Sequence, residues 1–405
     1  MINIERLKSR INKLTSIGLD EDGGHTRLAL SEEDRTARKL LITWMEELGL
    51  SVRIDDFGNI YGGKKGSIPN LDATVLGSHI DTVPKGGKFD GVLGVIGGLE
   101  AIESFIETGR TNKRTIELVA FTNEEGARFT PQMLGSGAVT DKFPKGYVYK
   151  RKDDEGRNFA DELRAISFMG EDKNRLRNVQ NFIELHIEQG PVLEEQNIPI
   201  GVVQGIAGFS WFEITVKGES NHSGTTPMKN RSDSLVSAAV LIQELNIWAN
   251  KRKDGTVLTV GKINTQPGSV NVIPSSTGFT VDVRIYDLVT FKSTLAELKQ
   301  LIDDKAQTLN TEYELKEIKT QRPVEFSPRL VDLIEKVSEK QNFPYLNMKS
   351  GAGHDAMYLN EITDTAMIFV PSTKGISHSP EEHTSWEDIE KGVNVLYGVM
   401  ESLVE

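Results

Sequence analysis

Residues 73–83 read ATVLGSHIDTV, a short apolar run that ends in a histidine and an aspartate. Residues 116–125, IELVAFTNEE, and residues 181–190, NFIELHIEQG, repeat this arrangement. A glycine-rich helical pattern at residues 91–108 separates the first two runs. A strand, a helix and a second strand in this order predict a parallel sheet with helices on both faces. We therefore predict an α/β fold with a mostly parallel sheet.

Polar residues end each of these predicted strands. The carboxyl ends of parallel strands share one edge of the sheet, and ligands bind there. We expect four of these residues to face one crevice: His79, Glu124, Glu125 and His186. A further segment, ISHSPE at residues 376–381, adds a histidine. In a chain with seven histidines and no cysteine, this concentration of imidazole and carboxylate groups indicates a site for divalent cations.

The composition argues against several other classes of protein. The 405 residues are 38% hydrophobic and 26% charged, and the formal net charge of -12 opposes binding to nucleic acid. The absence of cysteine excludes disulfides and thiolate ligands. The first residues lack the apolar stretch of a signal peptide, and no segment has the roughly 18 uninterrupted apolar residues of a membrane helix. We therefore expect a cytoplasmic protein with no membrane role.

The character of the chain changes near residue 205 and changes back near residue 322. The stretch between alternates strand and helix patterns: strands at residues 211–217, 256–264 and 277–286, and helices at residues 233–253 and 291–309. Segments with site residues precede and follow it. We predict a discontinuous catalytic domain, residues 1–207 and 323–405, and an inserted α+β domain, residues 208–322.

The candidate ligands suit a site with two metal ions. Asp90 is the best candidate to bridge them, because its two carboxylate oxygens can each bind a different ion. His79 and Glu125 would complete the shell of one ion or the other. His186 and His378 would supply further imidazole nitrogens, which makes five protein ligands in all.

Adjacent residues point in different directions, so the two neighbouring glutamates cannot have the same role. We assign Glu125 to the metal and Glu124 to acid–base catalysis, in which it carries a proton from water to the leaving nitrogen. Asp81 follows His79 by two residues and can accept a hydrogen bond from the second ring nitrogen of that histidine, which would fix its tautomer. Asp81 can also be read as a residue that forms the turn at the strand end.

Several polar residues could hold a substrate anion. Arg284 occupies a strand position and suits bidentate binding of a carboxylate, although such an arginine is more often part of a structural ion pair. His222 lies in the segment NHSG and could simply be a turn residue. Residues 268–274, GSVNVIP, and residues 351–355, GAGHD, form glycine-containing loops where the backbone can approach a ligand closely.

Taken together, these segments resemble the dinuclear metallo-amidohydrolase and peptidase superfamily that includes aminoacylases and carboxypeptidase G. Residues 185–194, LHIEQGPVLE, and residues 350–356, SGAGHDA, are similar to segments of one branch of it. That branch contains N-carbamoyl-L-amino-acid hydrolases, allantoate amidohydrolases and β-ureidopropionases. The similarity extends from residue 26 to residue 380.

The resemblance implies a role for each matching residue. The metal ligands of the family match His79, Asp90, Glu125, His186 and His378, with two divalent ions per subunit, which could be zinc, manganese, cobalt or nickel. The catalytic glutamate matches Glu124, and substrate contacts match the following residues: Gln189, His222, Asn271, Arg284, Gly353 and His354. The resemblance further implies that residues 208–322 form a homodimer and close as a lid.

The implied reaction is hydrolysis of the terminal ureido C–N bond of a small carboxylate. An N-carbamoyl-L-amino acid would give an amino acid, carbon dioxide and ammonia, and we take it as the first expectation. Allantoate and the substrate of β-ureidopropionase are the alternatives, because all three carry a ureido group and a carboxylate. A peptidase or aminoacylase is less favoured by the Gln189-Gly190 pair. A metal-stabilised dimeric binding protein would require Glu124 to be dispensable.

Overall fold

The computed structural model describes residues 1–405, which form two compact units. The first unit comprises Met1–Gln204 and Phe326–Glu405, and the second comprises Gly205–Glu325. The boundaries predicted from the sequence, after residues 207 and 322, differ from these junctions by three residues each.

The first part of the chain supplies six strands and seven helices. In chain order they are α1 (Ile4–Thr15), α2 (Glu32–Glu47), β1 (Ser51–Ile54), β2 (Ile60–Lys64), β3 (Ala73–His79), α3 (Val92–Glu107), β4 (Ile116–Phe121), α4 (Leu134–Val139), α5 (Lys145–Tyr149), α6 (Phe159–Ala165), β5 (Val179–Ile187), α7 (Val192–Gln196) and β6 (Ile200–Ile206). Ser31 caps α2 by accepting a hydrogen bond from the backbone N–H of Asp34, as its position before three acidic residues predicts.

The remaining elements follow in the second unit and then in the returning part of the first. They are β7 (Gly208–Lys217), α8 (Ser234–Lys251), β8 (Val257–Thr259), β9 (Ile263–Gln266), β10 (Ser276–Ile285), α9 (Phe291–Thr308), β11 (Tyr313–Gln321), β12 (Val324–Glu325), α10 (Pro328–Lys340), β13 (Tyr345–Ser350), α11 (Ala356–Leu359), β14 (Asp364–Val370) and α12 (Trp386–Val404). Short 3-10 turns lie at Asp172–Asn174, Met228–Asn230 and Thr373–Gly375.

The large sheet has the order β1-β2-β4-β3-β5-β14-β6-β12, and β13 also pairs with β6. Its centre is parallel, because β3 pairs in parallel with β4 and β5, and β14 pairs in parallel with β5. Antiparallel strands flank this centre on both sides. The four parallel strands therefore end at one edge. Three of them were expected from the sequence, and β14, which leads to the His378 segment, is the fourth.

Helices cover both faces of the parallel centre. Every residue of β3 and β4 is buried, as continuous apolar strands covered on both sides require. On β5, side chains alternate between the faces. Gly97 of α3 lies against the side chain of Leu185, whereas the neighbouring Glu184 accepts a hydrogen bond from the backbone of Ala356 at the start of α11. The predicted α/β class with covered faces agrees with this arrangement.

The second unit is an antiparallel sheet packed against two helices. Its strand order is β11-β7-β10-β8, with β9 also paired to β10. The apolar face of β7 and β10 packs with α8 and α9 to form one core, which includes Phe212, Ile214, Phe279, Val281 and Leu298. The single strand predicted at residues 256–264 is divided in the structure. The Val257–Arg284 and Ile263–Phe279 pairings differ by one residue in register, so the chain around Gly261 holds one extra residue and the strand breaks there.

None of the helices is both long and apolar enough to span a bilayer.

The position of the site depends on close packing of α3 against the sheet, and a substitution of Gly94 tests this packing. An added Cβ at Gly94 would lie 2.6 Å from the carbonyl oxygen of Leu185 and 2.7 Å from Cβ of Ser78, both on strands that carry site residues. We predict that Gly94→Ala lowers the melting temperature, because overpacking of about 1–3 kcal/mol outweighs the helix propensity of alanine, worth about 1 kcal/mol.

The control for this measurement is Gly146→Ala in α5, where an added Cβ meets no atom within 4 Å. Its melting temperature should equal or slightly exceed that of the unchanged protein. Equal melting temperatures for the two variants would contradict the packing argument.

Candidate functional site

The candidate site lies at the carboxyl ends of the four parallel strands of the first unit. His79 is the last residue of β3, and its pairing partner on β4 is Phe121, three residues before Glu124. His186 stands one residue before the end of β5 and pairs with Phe369 of β14. The parallel register thus brings together groups that are far apart in the sequence, as the strand-end argument predicts.

Asp90 occupies the centre of this site. Its Oδ1 lies 3.1 Å from Nε2 of His186 and 3.5 Å from Nε2 of His79. Its Oδ2 lies 3.2 Å from Nε2 of His378, and that nitrogen is 3.4 Å from Oε2 of Glu125. Two groups of possible ligands result: His79 with Asp90 and His186, and Asp90 with Glu125 and His378. Asp90 is the member they share.

The two adjacent glutamates have different neighbours. Glu125 belongs to the ligand group that contains Asp90 and His378. Glu124 lies outside both Asp90 groups, although its Oε2 is 3.6 Å from Nε2 of His79 and its side chain is buried. This difference supports the separate roles that the sequence predicts for the pair.

The chemistry of the donor set fits a divalent cation. Nδ1 of His79 lies 3.0 Å from the carbonyl oxygen of Asp81, and Nδ1 of His186 lies 2.9 Å from that of Ile187. A carbonyl oxygen can only accept, so in the neutral rings Nδ1 carries the proton and Nε2 presents a lone pair. In that state both Nε2 lone pairs face the Asp90 carboxylate, so the contact requires a positive charge. A cation between the groups can supply it, and so can protonation of the rings: burial opposes protonation, but the neighbouring carboxylates raise the pKa of both imidazoles.

The spacing is close to the one that this interpretation requires. Ligand atoms bound about 2.0–2.2 Å from one tetrahedral zinc ion lie roughly 3.3–3.6 Å apart. The nitrogen–oxygen distances around Asp90 span 3.1–3.5 Å. The residues present are thus suited to hold divalent metal.

The electrostatics of the site also call for positive charge. Burial raises the pKa of Glu124 well above its ordinary value, and the nearby carboxylates of Asp355, Glu125 and Asp90 add to the effect. Burial and the proximity of Asp90 raise the pKa of Glu125 to about 8. Burial also opposes ionisation of Asp90, but the surrounding imidazoles hold its pKa well below the usual range. Ionised carboxylates this close together need a cation to offset their repulsion.

Asp81 contacts the site differently from the expectation. The acceptor for Nδ1 of His79 is the backbone carbonyl of Asp81, whereas the nearer carboxylate oxygen lies 4.0 Å from that nitrogen. The two carboxylate oxygens instead accept hydrogen bonds from the backbone N–H groups of Glu124, at 3.2 Å, and Glu125, at 3.3 Å. We therefore correct the predicted tautomer-fixing role of the side chain: it anchors the loop of the two glutamates.

Three residues at the site have left-handed backbone conformations without being glycine. They are Asn123 with φ 59°, Gln189 with φ 58° and His378 with φ 55°. Side chains disfavour this region, and such strain is concentrated at functional sites. The amide of Asn123 holds its own turn by donating to the carbonyl of Phe129 and accepting from the backbone N–H of that residue.

The predicted substrate residues of the first unit lie beside the candidate ligands. Nε2 of Gln189 donates to Oδ2 of Asp90 at 2.8 Å. His354 is buried, with its ring edge-on to His186 at a centroid distance of 4.5 Å and its Nε2 3.0 Å from the hydroxyl of Ser350. Gly353 lies close to Gln132, since an added Cβ would be 3.0 Å from Nε2 of that residue. Contact of these three predicted residues with substrate stays a prediction.

The remaining predicted substrate residues belong to the second unit. His222 and Asn271 are exposed neighbours, because the segments that hold them are joined by the His222–Val272 bridge and by a hydrogen bond from Ser223 to the carbonyl of Asn271. Nδ1 of His222 accepts from the backbone N–H of Gly224 at 3.1 Å, so the ring keeps its Nε2–H as a donor. Arg284 lies on β10 and donates to Asp282 at 3.2 Å.

Two residues that contact the candidate ligands were not predicted from the sequence. Ser377 donates to the carboxylate of Glu382 at 2.9 Å, and its hydroxyl lies 3.3 Å from Oδ2 of Asp90. Both residues stand in or beside the segment quoted for His378, where their proximity to a predicted ligand was the only available signal. Their contacts with Phe89 and Asp90, 287 to 293 residues away along the chain, are visible only in the fold.

Comparison with known proteins gives a consistent result. The model of Peptidase family M20/M25/M40 matches residues 75–402. An N-carbamoyl-L-amino-acid amidohydrolase of Pseudomonas sp. (strain NS671) is 40% identical over 98% of this chain and 97% of its own length. An allantoate amidohydrolase of Bacillus subtilis (strain 168) is 35% identical over 97% of this chain and 96% of its own length.

A solved structure is similar over the whole chain. It is an amidase of the hydantoinase/carbamoylase family from Burkholderia multivorans, with a TM-score of 0.95 and 38% identity. The match covers 100% of this chain and 98% of that one.

The corrected role of Asp81 leads to a testable prediction. Asp81→Asn replaces one acceptor oxygen by an NH2 group that faces a backbone N–H, so one anchor of the glutamate loop is lost while the carbonyl that holds His79 remains. We expect turnover to fall by about 10- to 100-fold, as for other groups that orient ligands. Hydrogen exchange at the amides of Glu124 and Glu125 should become faster.

Asp154→Asn, at an exposed position, is the matched control and should change neither quantity. Unchanged exchange at the two glutamate amides in Asp81→Asn would contradict the anchoring role.

Proposed function

We propose that this chain, which belongs to peptidase family M20/M25/M40, is a metal-dependent amidohydrolase that acts on an N-carbamoyl-L-amino acid. The proposed reaction is R–NH–CO–NH2 plus water, giving R–NH2, carbon dioxide and ammonia. The observation that carries the proposal is the pair of ligand groups that share Asp90, with the buried Glu124 beside them.

Two divalent ions are proposed, one for each ligand group. His79 and His186 would hold one ion and Glu125 and His378 the other, with Asp90 between them. When bound, such ions polarise a carbonyl oxygen and make water more acidic. Zinc, manganese, cobalt and nickel all suit imidazole and carboxylate ligands.

Glu124 is the proposed proton carrier. Burial and the neighbouring carboxylates raise the pKa of its carboxyl group. A carboxyl group beside the ligand groups can accept a proton and release it again. It would accept a proton from the attacking water and deliver it to the leaving nitrogen. The hydrogen bonds that Asp81 accepts from the backbone N–H groups of residues 124 and 125 would hold this loop, and with it the carboxylate, in place.

The choice of an N-carbamoyl-L-amino acid rests on the relatives. Those named for this activity are 37–40% identical to the chain. Those named allantoate amidohydrolase are 35% identical, so allantoate is the second candidate. Both substrates have a ureido group and a carboxylate, and an arginine such as Arg284 can bind the carboxylate of either.

The positions of the predicted substrate residues in the second unit support the proposal of a homodimer. The bridge between His222 and Val272 lies beyond the Ser276 end of β10. Arg284 lies on β10 itself, eight residues after Ser276. Eight residues of extended strand cover about 26 Å. A small ureido carboxylate cannot reach both residues of one subunit. We therefore propose that each site takes His222 and Asn271 from one subunit and Arg284 from the other.

An apolar edge of the second unit offers a surface for this dimer. Val257 of β8 and Ile263 of β9 are 51% and 47% exposed, on the strands next to β10 at the end of the sheet. The helix α8 packs beside β8 and exposes 59% of Val236. Apolar residues on an open sheet edge favour association with another chain. A second copy of this chain is the proposed occupant, because the two halves of the substrate site require it.

The separate roles of the two glutamates can be tested by two variants of equal size. Glu124→Gln should reduce ammonia release by about 10²- to 10⁴-fold while metal affinity is kept. Glu125→Gln should weaken metal binding itself. Ammonia release by both variants is measured with N-carbamoyl-methionine and with allantoate. The activity of the unchanged protein in the same assay shows which of the two compounds is its substrate.

Undiminished turnover by Glu124→Gln would rule out the proposed mechanism. A protein that binds metal and hydrolyses neither substrate would exclude the proposed function.

The shared site predicts complementation between two defective variants. Arg284→Ala should raise KM by about 10- to 100-fold, since it removes a charge-assisted contact with the substrate carboxylate. His222→Ala should lower kcat. In a mixed dimer, one site carries both changes and the other carries neither.

Co-expression of the two variants should therefore restore roughly a quarter of normal activity, because about half of the dimers are mixed and each has one intact site. Each variant expressed alone, which forms dimers of that variant only, gives the control. Activity that stays at the level of the separate variants would show that both residues serve the same subunit.

A further inference from the structure

Glu382 is a buried carboxylate that contacts both loops beside the central ligand. It is 6% exposed, and its Oε1 accepts hydrogen bonds from the backbone N–H of Phe89 at 2.8 Å and of Asp90 at 3.1 Å. Its Oε2 accepts from the hydroxyl of Ser377 at 2.9 Å. One side chain therefore connects the loop that ends in Asp90 with the loop that carries His378.

The contacts also determine where the proton of Ser377 goes. The hydroxyl lies between two carboxylates, 2.9 Å from Glu382 and 3.3 Å from Oδ2 of Asp90, and it has only one proton to donate. Donation to Glu382 is the shorter contact. It leaves the lone pairs of that Asp90 oxygen for a cation and for the amide of Gln189.

The main chain is shaped to admit this carboxylate. A Cβ added at Gly87 would lie 2.0 Å from Cδ of Glu382 and 2.1 and 2.2 Å from its two oxygens, and these are its three nearest atoms. Gly87 does not have a positive φ, so space and not backbone conformation excludes a side chain there. The glycine two residues before Phe89 thus belongs to the same arrangement.

We propose that Glu382 is the positioning residue of the metal site, which holds the Asp90 carboxylate and the His378 imidazole at ligand distance from each other. The inference rests on the proposed roles of Asp90 and His378 as metal ligands. A bound cation attracts the ligands toward a common point. Because Glu382 already fixes the two loops, metal binding loses little conformational entropy in ordering them.

The test measures metal affinity and does not depend on turnover. The full-length protein is stripped with a chelator and titrated with Mn²⁺ and with Zn²⁺ in a calorimeter. Glu382→Ala should lower the affinity by about 10- to 100-fold, as expected for a group that supports ligands. Glu381→Ala, one residue away and exposed, is the matched control and should bind as the unchanged protein does.

A conservative variant separates positioning from general damage. Glu382→Gln keeps an oxygen for the two backbone N–H groups and can donate to the hydroxyl of Ser377. It should bind metal more tightly than Glu382→Ala. Equal affinity for the alanine variants at 381 and 382 would overturn the proposal, as would a glutamine variant no better than alanine.

Gly87 provides an independent arm of the test. Gly87→Ala should weaken metal binding in the unchanged protein, because its Cβ displaces the Glu382 carboxylate. In the Glu382→Ala background the same change should have little further effect. Equal losses in both backgrounds would mean that the two residues act separately and would overturn the proposal.

The outcomes distinguish this inference from the proposed function. If the unchanged protein does not bind metal, the proposed function fails. If the unchanged protein binds metal and Glu382→Ala binds it equally well, only the positioning role fails.

Discussion

The repulsion among buried carboxylates is the constraint on which the arrangement of the first unit depends. The side chains of Asp81, Asp90, Glu124 and Glu125 lie together with little access to water. The fold accommodates them in three ways. Asp90 faces three imidazoles, Asp81 accepts two backbone N–H groups, and the remaining two carboxylates have raised pKa values that lower the charge in the absence of metal. A divalent cation removes the conflict, so the same groups that oppose folding of the empty site favour binding of metal.

The parallel centre of the sheet explains how such distant residues meet. His79 and His186 lie at the ends of β3 and β5, and Glu124 and His378 follow β4 and β14. These four strands end at one edge, and the register of each pair fixes the height at which each side chain leaves the sheet. The helix α3 approaches this edge closely through glycine, and Gly91 at its start has a φ of 65° and leaves no room for a Cβ beside the His79 ring. Backbone hydrogen bonds therefore determine the position of the site before any ligand does.

The sequence predicts the strand ends because each apolar run stops at its polar residue, and that local signal needs no knowledge of the fold. It identifies His79, Glu125 and His186 as neighbours, and the structure places each of them in a ligand group with Asp90. It cannot distinguish the carbonyl of Asp81 from its carboxylate, because the choice depends on where the backbone of residues 124 and 125 passes. Glu382 cannot be identified from the sequence for the same reason, because the backbone N–H groups that it binds, those of Phe89 and Asp90, lie nearly 300 residues earlier in the chain. Long-range contacts by a single side chain leave no periodic pattern.

The division between the two units has a further consequence for specificity. The groups suited to bind metal and move a proton all belong to the first unit, where the parallel strands hold them in fixed relation. The proposed carboxylate anchor and the exposed His222–Asn271 pair belong to the second unit, at opposite ends of one long strand. If two subunits complete each site, the spacing of the anchors depends on how the copies associate. Substrate selection is then a property of an interface, which can change between relatives while the ligands of the metal site stay the same.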